Sequence, residues 1–251
     1  GFCHFGPLAS DRVNALIVPV VDLFTRAHGL GVRHFVLVQD THEPDAPEFA
    51  AWPPHCVRGT PEAETIPELA ALPFADLFTV VEKNSLHPGH ETEFDAWLAA
   101  HPEVRIAIVV GDCTDLCVYS LAMYLRLVAN ARNIPDLRVV VPADAVDTYD
   151  LSPDAAAAIG AFPHPGQFFH EVFLYHMALN GIEPDFAPKG DLSLKAWFGN
   201  NQGLSLPPEL DLPVVRAMAP YDEQITELQR QVGGIFIRQP MKDCSGATVM
   251  D

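Results

Sequence analysis

The run VRIAIVVGD, residues 104–112, constrains what this chain can fold into more than any other stretch. It is apolar almost throughout, closes on glycine and aspartate, and leads at once into TDLCVYSLAMYLRLVANAR (114–132), whose apolar residues recur at helical spacing. A short apolar run without polar alternation suits a strand buried on both faces, as in parallel sheets covered by helices. The pattern repeats. HFVLVQD (34–40), LFTVVEK (77–83) and LRVVVPAD (137–144) are further apolar runs, each ending in a polar or charged residue. LASDRVNALIVPVVDLFTRAHG (8–29) reads as one amphipathic helix, capped by Ser10 or Asp11 and ended by Gly29. Further helices are predicted around 153–161, where Ser152-Pro153 supplies a cap and a first-turn proline, and around 167–180. Strands alternating with helices predict an α/β fold: three layers around a doubly wound, mostly parallel sheet.

In that architecture sites form at the carboxyl ends of the strands. Here those ends carry Asp40 and His42, then Lys83, then Asp112 to Cys117. Three strands deliver reactive groups to one edge.

Composition narrows the partners. The formal net charge is −18, with lysine only at 83, 189, 195 and 242. Such a surface repels nucleic acid and anionic membranes, so neither is expected as a partner. No apolar run is long enough to span a bilayer, and NALIVPVVDLF is broken by proline and aspartate and has no basic lead-in, so it is not read as a signal peptide. The cysteines (Cys3, Cys56, Cys113, Cys117 and Cys244) are odd in number and scattered, as expected of reduced thiols in a cytoplasmic protein. From about residue 183 the chain turns loop-like, with a helix predicted over 221–232 and a short strand in GGIFIRQP. Residues 1–183 are therefore read as the main domain and 184–251 as a C-terminal extension.

Each reactive group has two readings. Cys117 falls in the first turn of a helix, whose free N–H groups and positive dipole end lower a thiol's pKa and bind an oxyanion; a buried core thiol satisfies the same pattern. Lys83 ends an apolar strand, either paired and functional or snorkelling to solvent. Asp40-x-His42 with His55, the latter held in the proline-rich string AWPPHCVRGT, offers oxygen and imidazole ligands for zinc, iron or manganese; a plain surface loop is the alternative. His87 and His90 are pocket or loop residues, and His164, His170 and His176 are read as structural or interface residues.

Taken together, VQDTHEPD, EFAAWPPHCVRGTPEAE, VVEKNS and VVGDCTDLCV resemble the cysteine hydrolase (isochorismatase-like) superfamily, and within it the nicotinamidase-like branch. The resemblance covers about residues 1–183. It implies an isochorismatase-like fold and a metal-dependent amidohydrolase converting nicotinamide and water to nicotinate and ammonia. Cys117 is implied as the nucleophile and Lys83 as its partner, with an oxyanion hole from the N–H groups of Cys113 and Cys117 and a cis peptide between Asp112 and Cys113. Asp40, His42 and His55 are implied as ligands of one divalent metal, zinc first and iron or manganese otherwise. Phe2 and Trp52 are implied as the walls around the substrate ring. The partner is a small-molecule amide, and family habit suggests a homo-oligomer. Alternatives are another carboxamide or carbamoyl hydrolase of the superfamily, or a catalytically silent relative that binds a pyridine or serves assembly.

Three positions depart from the family pattern. Its catalytic aspartate closes a first strand, expected here upstream of Gly1; Asp251, ending the apolar ATVMD, is the alternative within the chain. The metal loop offers Glu43, Asp45 and Glu48 where some members carry another histidine. Asp112 stands where an apolar residue is usual.

Overall fold

The computed structural model describes residues 1–185. The remainder of the expected extension, with the predicted helix over 221–232, the GGIFIRQP strand and Asp251, lies outside the described residues.

The elements in chain order are α1 (Asp11–Asn14), α2 (Ile17–Gly29), β1 (Phe35–Asp40), α3 (Pro67–Ala70), β2 (Phe78–Lys83), α4 (Phe94–Ala100), β3 (Ile106–Ile108), β4 (Gly111–Asp112), α5 (Tyr119–Ala131), β5 (Arg138–Pro142), β6 (Val146–Asp147), α6 (Pro153–Ile159), α7 (Gly166–Leu179) and β7 (Glu183–Asp185). Among the described residues these strands pair in parallel. β1 pairs with β2, β3 with β5, β5 with β7, and β4 with β6. The predicted α/β class with mostly parallel strands holds, but among the described residues the strands form three sheets, β1-β2, β3-β5-β7 and β4-β6, where one was expected. The three-stranded sheet runs past the expected boundary at residue 183, because β7 joins β5 through Asp185, and Pro184, which lacks an N–H, sits on a strand that pairs only with β5 among the described residues.

Two expectations are corrected. The single helix over 8–29 is two, α1 and α2, because Pro19 has no N–H to donate to the carbonyl of Ala15 and sits in the first turn of a new helix. The single strand over 104–112 is two: β3 ends at Ile108 and β4 begins at Gly111, whose φ of +108° is a conformation that favours glycine. Elsewhere local chemistry acts as expected. The Ser152 hydroxyl accepts from the Ala155 N–H at 3.3 Å to start α6, and Gly160 ends it in a left-handed conformation.

The core lies between the sheet and helices α5 and α7. Ala122, Val139, Val141 and Met177 are fully buried, each large apolar side chain contributing roughly 1.5–3 kcal/mol. Among the described residues β1 pairs only with β2 and β3 only with β5. A cavity of about 840 Å³ is lined by Val36 and Val38 of β1 and by Ile106 and Ile108 of β3. Among the described residues no helix is long and apolar enough to cross a membrane.

Candidate active site

The parallel register of β1 and β2 sets Asp40 directly opposite Lys83. The Lys83 ammonium, 3 % exposed, donates to Asp40 Oδ1 and lies 3.5 Å from Cys117 Sγ. A charge this buried persists only with such partners. Burial alone would lower the lysine's pKa, but the Cys117 sulfur and the Asp40 carboxylate outweigh it and hold the group above its ordinary value. Asp40 therefore faces two ways, toward the lysine as well as toward the two histidines.

Cys117 stands on the turn Thr114–Val118, wound as one π-turn before α5 begins, a device that often accompanies functional sites. The preceding Asp112–Cys113 peptide is cis. The N–H groups of Leu116 and Val118 both donate to the Cys113 carbonyl at 3.1 Å, pinning the turn. Its far side is held by Asp115, whose Oδ2 lies 2.8 Å from His164 Nε2, and by Thr114, whose hydroxyl meets His170 Nδ1 at 2.9 Å. The helix end was expected to lower the thiol's pKa. In the folded site burial prevails: it pushes Cys117 up to about 12, with Asp40 and Asp112 adding to the rise and Lys83 opposing it. A thiol raised in this way needs a base to take its proton as it attacks. Asp112 is raised as well, by burial and then by Asp40, to about 6.

Asp40, His42 and His55 come together. One ligand atom from each lies within 4.8 Å of the others, and all three side chains are buried. The oxygen of the Asn84 amide accepts from the Glu43 N–H at 3.1 Å and lies 3.2 Å from His42 Nδ1, so that nitrogen carries the proton. His55 Nδ1 likewise donates to the Pro53 carbonyl at 2.8 Å. Each imidazole is thus left with its Nε2 lone pair, the arrangement that metal-bound histidines adopt. His42 Nε2 is buried without a hydrogen-bond partner, and Asp40 Oδ1 and Glu48 Oε1 each lie 3.9 Å from it. An orphaned ring nitrogen facing two carboxylates fits a divalent cation. Of the loop carboxylates, Glu48 faces this cluster while Glu43 is turned to Arg58 at 2.8 Å.

Phe2 and Trp52 line the same narrow cleft as Cys117, of about 40 Å³, together with Tyr149 and Leu116. The Phe2 ring sets its edge on His55 at 5.6 Å, and Trp52 meets Tyr149 at 6.1 Å.

Comparison with known proteins places this arrangement. The family described as the isochorismatase domain matches residues 1–169. The chain belongs to the isochorismatase family. It is 34% identical over 192 residues to Nicotinamidase 1 of Arabidopsis thaliana, covering 70% of this chain and 77% of the relative. Nicotinamidase/pyrazinamidase of Mycobacterium tuberculosis is 30% identical over 155 residues, 57% of this chain and 83% of the relative. Among solved structures, a cysteine hydrolase from Pseudomonas syringae pv. phaseolicola superposes with a TM-score of 0.57 at 21% identity, over 73% of this chain and 82% of that one. A pyrazinamidase/nicotinamidase from Streptococcus mutans superposes at 0.53 and 20% identity, over 71% and 90%. These two likenesses show that the chain shares their fold.

Within this isochorismatase-family site, sequence reasoning missed Asn84 and Tyr149. Asn84 directly follows Lys83 in VVEKNS, so its adjacency to a strand end was the available signal. Tyr149 lies in a loop with no such mark. The His87 and His90 rings lie tilted to one another at 4.4 Å, and His87 meets Tyr124 edge to face at 4.7 Å. His176 reaches the Tyr119 hydroxyl at 3.3 Å.

Proposed function

We propose that this isochorismatase-family chain is a nicotinamidase-like amidase that hydrolyses nicotinamide to nicotinate and ammonia with Cys117 as nucleophile. The observation that supports it best is the convergence of Cys117 Sγ on Lys83 Nζ at 3.5 Å in the cleft that Asp40 and His55 also line. The resemblance to nicotinamidases adds the substrate class.

Cys117 Sγ attacks the carboxamide carbon as its proton is withdrawn, and the Cys113 and Cys117 N–H groups receive the developing oxyanion. The proton passes to the departing nitrogen, the C–N bond breaks, and ammonia leaves a thioester. Water then adds to that carbonyl, giving the acid and restoring the thiol. Lys83 stays cationic beside the sulfur and favours the thiolate. Phe2 and Trp52 wall the ring. Asp40, His42 and His55, with Glu48 in reach, would hold a divalent ion, zinc in our reading, which when bound offers a Lewis-acid position for the ring nitrogen. The proton carrier in this proposal is an aspartate at the end of a further strand beside β1 and β3; among the described residues β1 pairs only with β2 and β3 only with β5, and the apolar cavity that both line supports that placing.

Ammonia release from nicotinamide by the full-length protein tests the reading. Cys117→Ala is expected to abolish it, and Lys83→Met to reduce it by about 100-fold or more. His55→Ala is expected to lower the metal content found by elemental analysis. A metal-loaded protein that releases no ammonia from nicotinamide overturns the assignment.

A further inference from the structure

A second cluster of ligand groups lies at the other end of β1, one strand length and roughly 20 Å from Asp40. His34 precedes β1, His101 ends α4, and Glu103 follows after Pro102, whose fixed φ limits the swing between those two side chains. One ligand atom from each lies within 4.8 Å of the others. His34 Nε2 is 3.4 Å from Glu103 Oε1. Two ligands held about 2.0–2.1 Å from one tetrahedral ion stand roughly 3.4 Å apart, so this pair is already at coordination spacing.

The His101 ring is also set for the task. Its Nδ1 donates to the Trp97 carbonyl at 2.7 Å, leaving Nε2 as the lone pair, and the Trp97 indole stacks on its face at 4.3 Å. The His34 ring meets it edge-on at 4.7 Å. A carbonyl-oriented imidazole, a second imidazole and a carboxylate are the donor set of a borderline transition ion and not of calcium or magnesium. The carboxyl-terminal end of α4 adds a favourable field for a cation.

We propose that His34, His101 and Glu103 form a second cation site, for zinc or a similar divalent transition ion. Bound there, the ion clips the start of β1 to the end of α4 at the rim of the apolar cavity that His34 and Trp97 help to line. The assignment is independent of the amidase reading.

The test is zinc binding by the chelator-stripped full-length protein, with stoichiometry from calorimetry and elemental analysis. His101→Ala is expected to remove one equivalent of zinc, and to do so equally in wild type and in a His55→Ala background. Glu103→Gln, a change at an exposed side chain, is expected to weaken the same equivalent about tenfold or more. Copper(II) in place of zinc is expected to quench Trp97 fluorescence in the wild type and not in His101→Ala, with Trp97→Phe identifying the signal. Equal zinc content and affinity in wild type, His101→Ala and Glu103→Gln overturns the site, as does an equivalent that disappears only with His55→Ala.

Discussion

Asp112 illustrates how one residue's environment can reverse what its type suggests. At a strand end it reads as one more polar terminus. Folded, it is half-buried beside Asp40, and desolvation together with that neighbouring carboxylate holds the carboxyl up at about 6. A carboxylate raised above its unfolded value stabilises the fold below the unfolded pKa, and that contribution is lost as pH rises to the folded one. The window therefore runs from about 4 to 6, and above it the ionised group is a net cost. Asp112→Asn is expected to raise stability by about 1–3 kcal/mol at pH 7.5 and to change little at pH 4. Denaturant melts of chelator-treated protein at the two pH values check this; equal effects at both would contradict the burial argument. The charge at this position was plain in the sequence, but its burial was not, since burial depends on how β1, β2 and β4 converge. The same holds for Asp40. Its alternation with His42 suggested a ligand pair, yet contact with Lys83 follows only from the β1–β2 register.

At the level of elements, strands were legible because a doubly buried strand has little freedom of composition. β1, β2 and β5 each lie within one residue or so of their predicted amino-terminal starts. The misreadings fall where one backbone group decides. Pro19 split a helix whose apolar spacing alone favoured continuity, and a strand whose hydropathy runs unbroken is interrupted just before Gly111, with its positive φ. Helices α3 and α4, of four and seven residues, carry too few turns for a periodic signal. The start of α7 is a close approach of the same hidden kind. A Cβ on Gly166 would sit 2.5 Å from the Tyr149 carbonyl, and the Gly166 N–H donates to Asp150 Oδ1 at 2.7 Å. Tyr149 lines the cleft with Cys117. Gly166→Ala is therefore expected to destabilise the fold by about 1–3 kcal/mol and to raise KM for the amide more than it lowers kcat, by displacing a cleft wall. Thermal melts and initial rates check it; an unchanged Tm would mean that α7 can slide away from the loop without strain.

Over the whole molecule the net charge of −18 sets a background against which every local site operates. Uncompensated carboxylates repel one another in the compact state more than in the expanded one, and added salt relieves that repulsion within a Debye length of about 10 Å at 0.1 M. Exposed ion pairs such as Arg58 with Glu43 and Glu82, or Arg138 with Glu183, lose attraction under the same screening, but each such pair contributes little. The two effects have opposite signs, and the excess of acidic groups decides between them: 33 Asp and Glu face 15 Lys and Arg. Raising sodium chloride from about 10 mM to 300 mM at pH 7.5 is accordingly expected to raise Tm by several degrees. Chelator-treated protein must be used, so that screening of a bound cation does not enter the result. Sodium sulfate at equal ionic strength separates screening from surface exclusion, since sulfate also strengthens apolar burial. A Tm that falls with sodium chloride would mean that the specific ion pairs outweigh the global repulsion, and that the acidic surface is organised locally around its arginines.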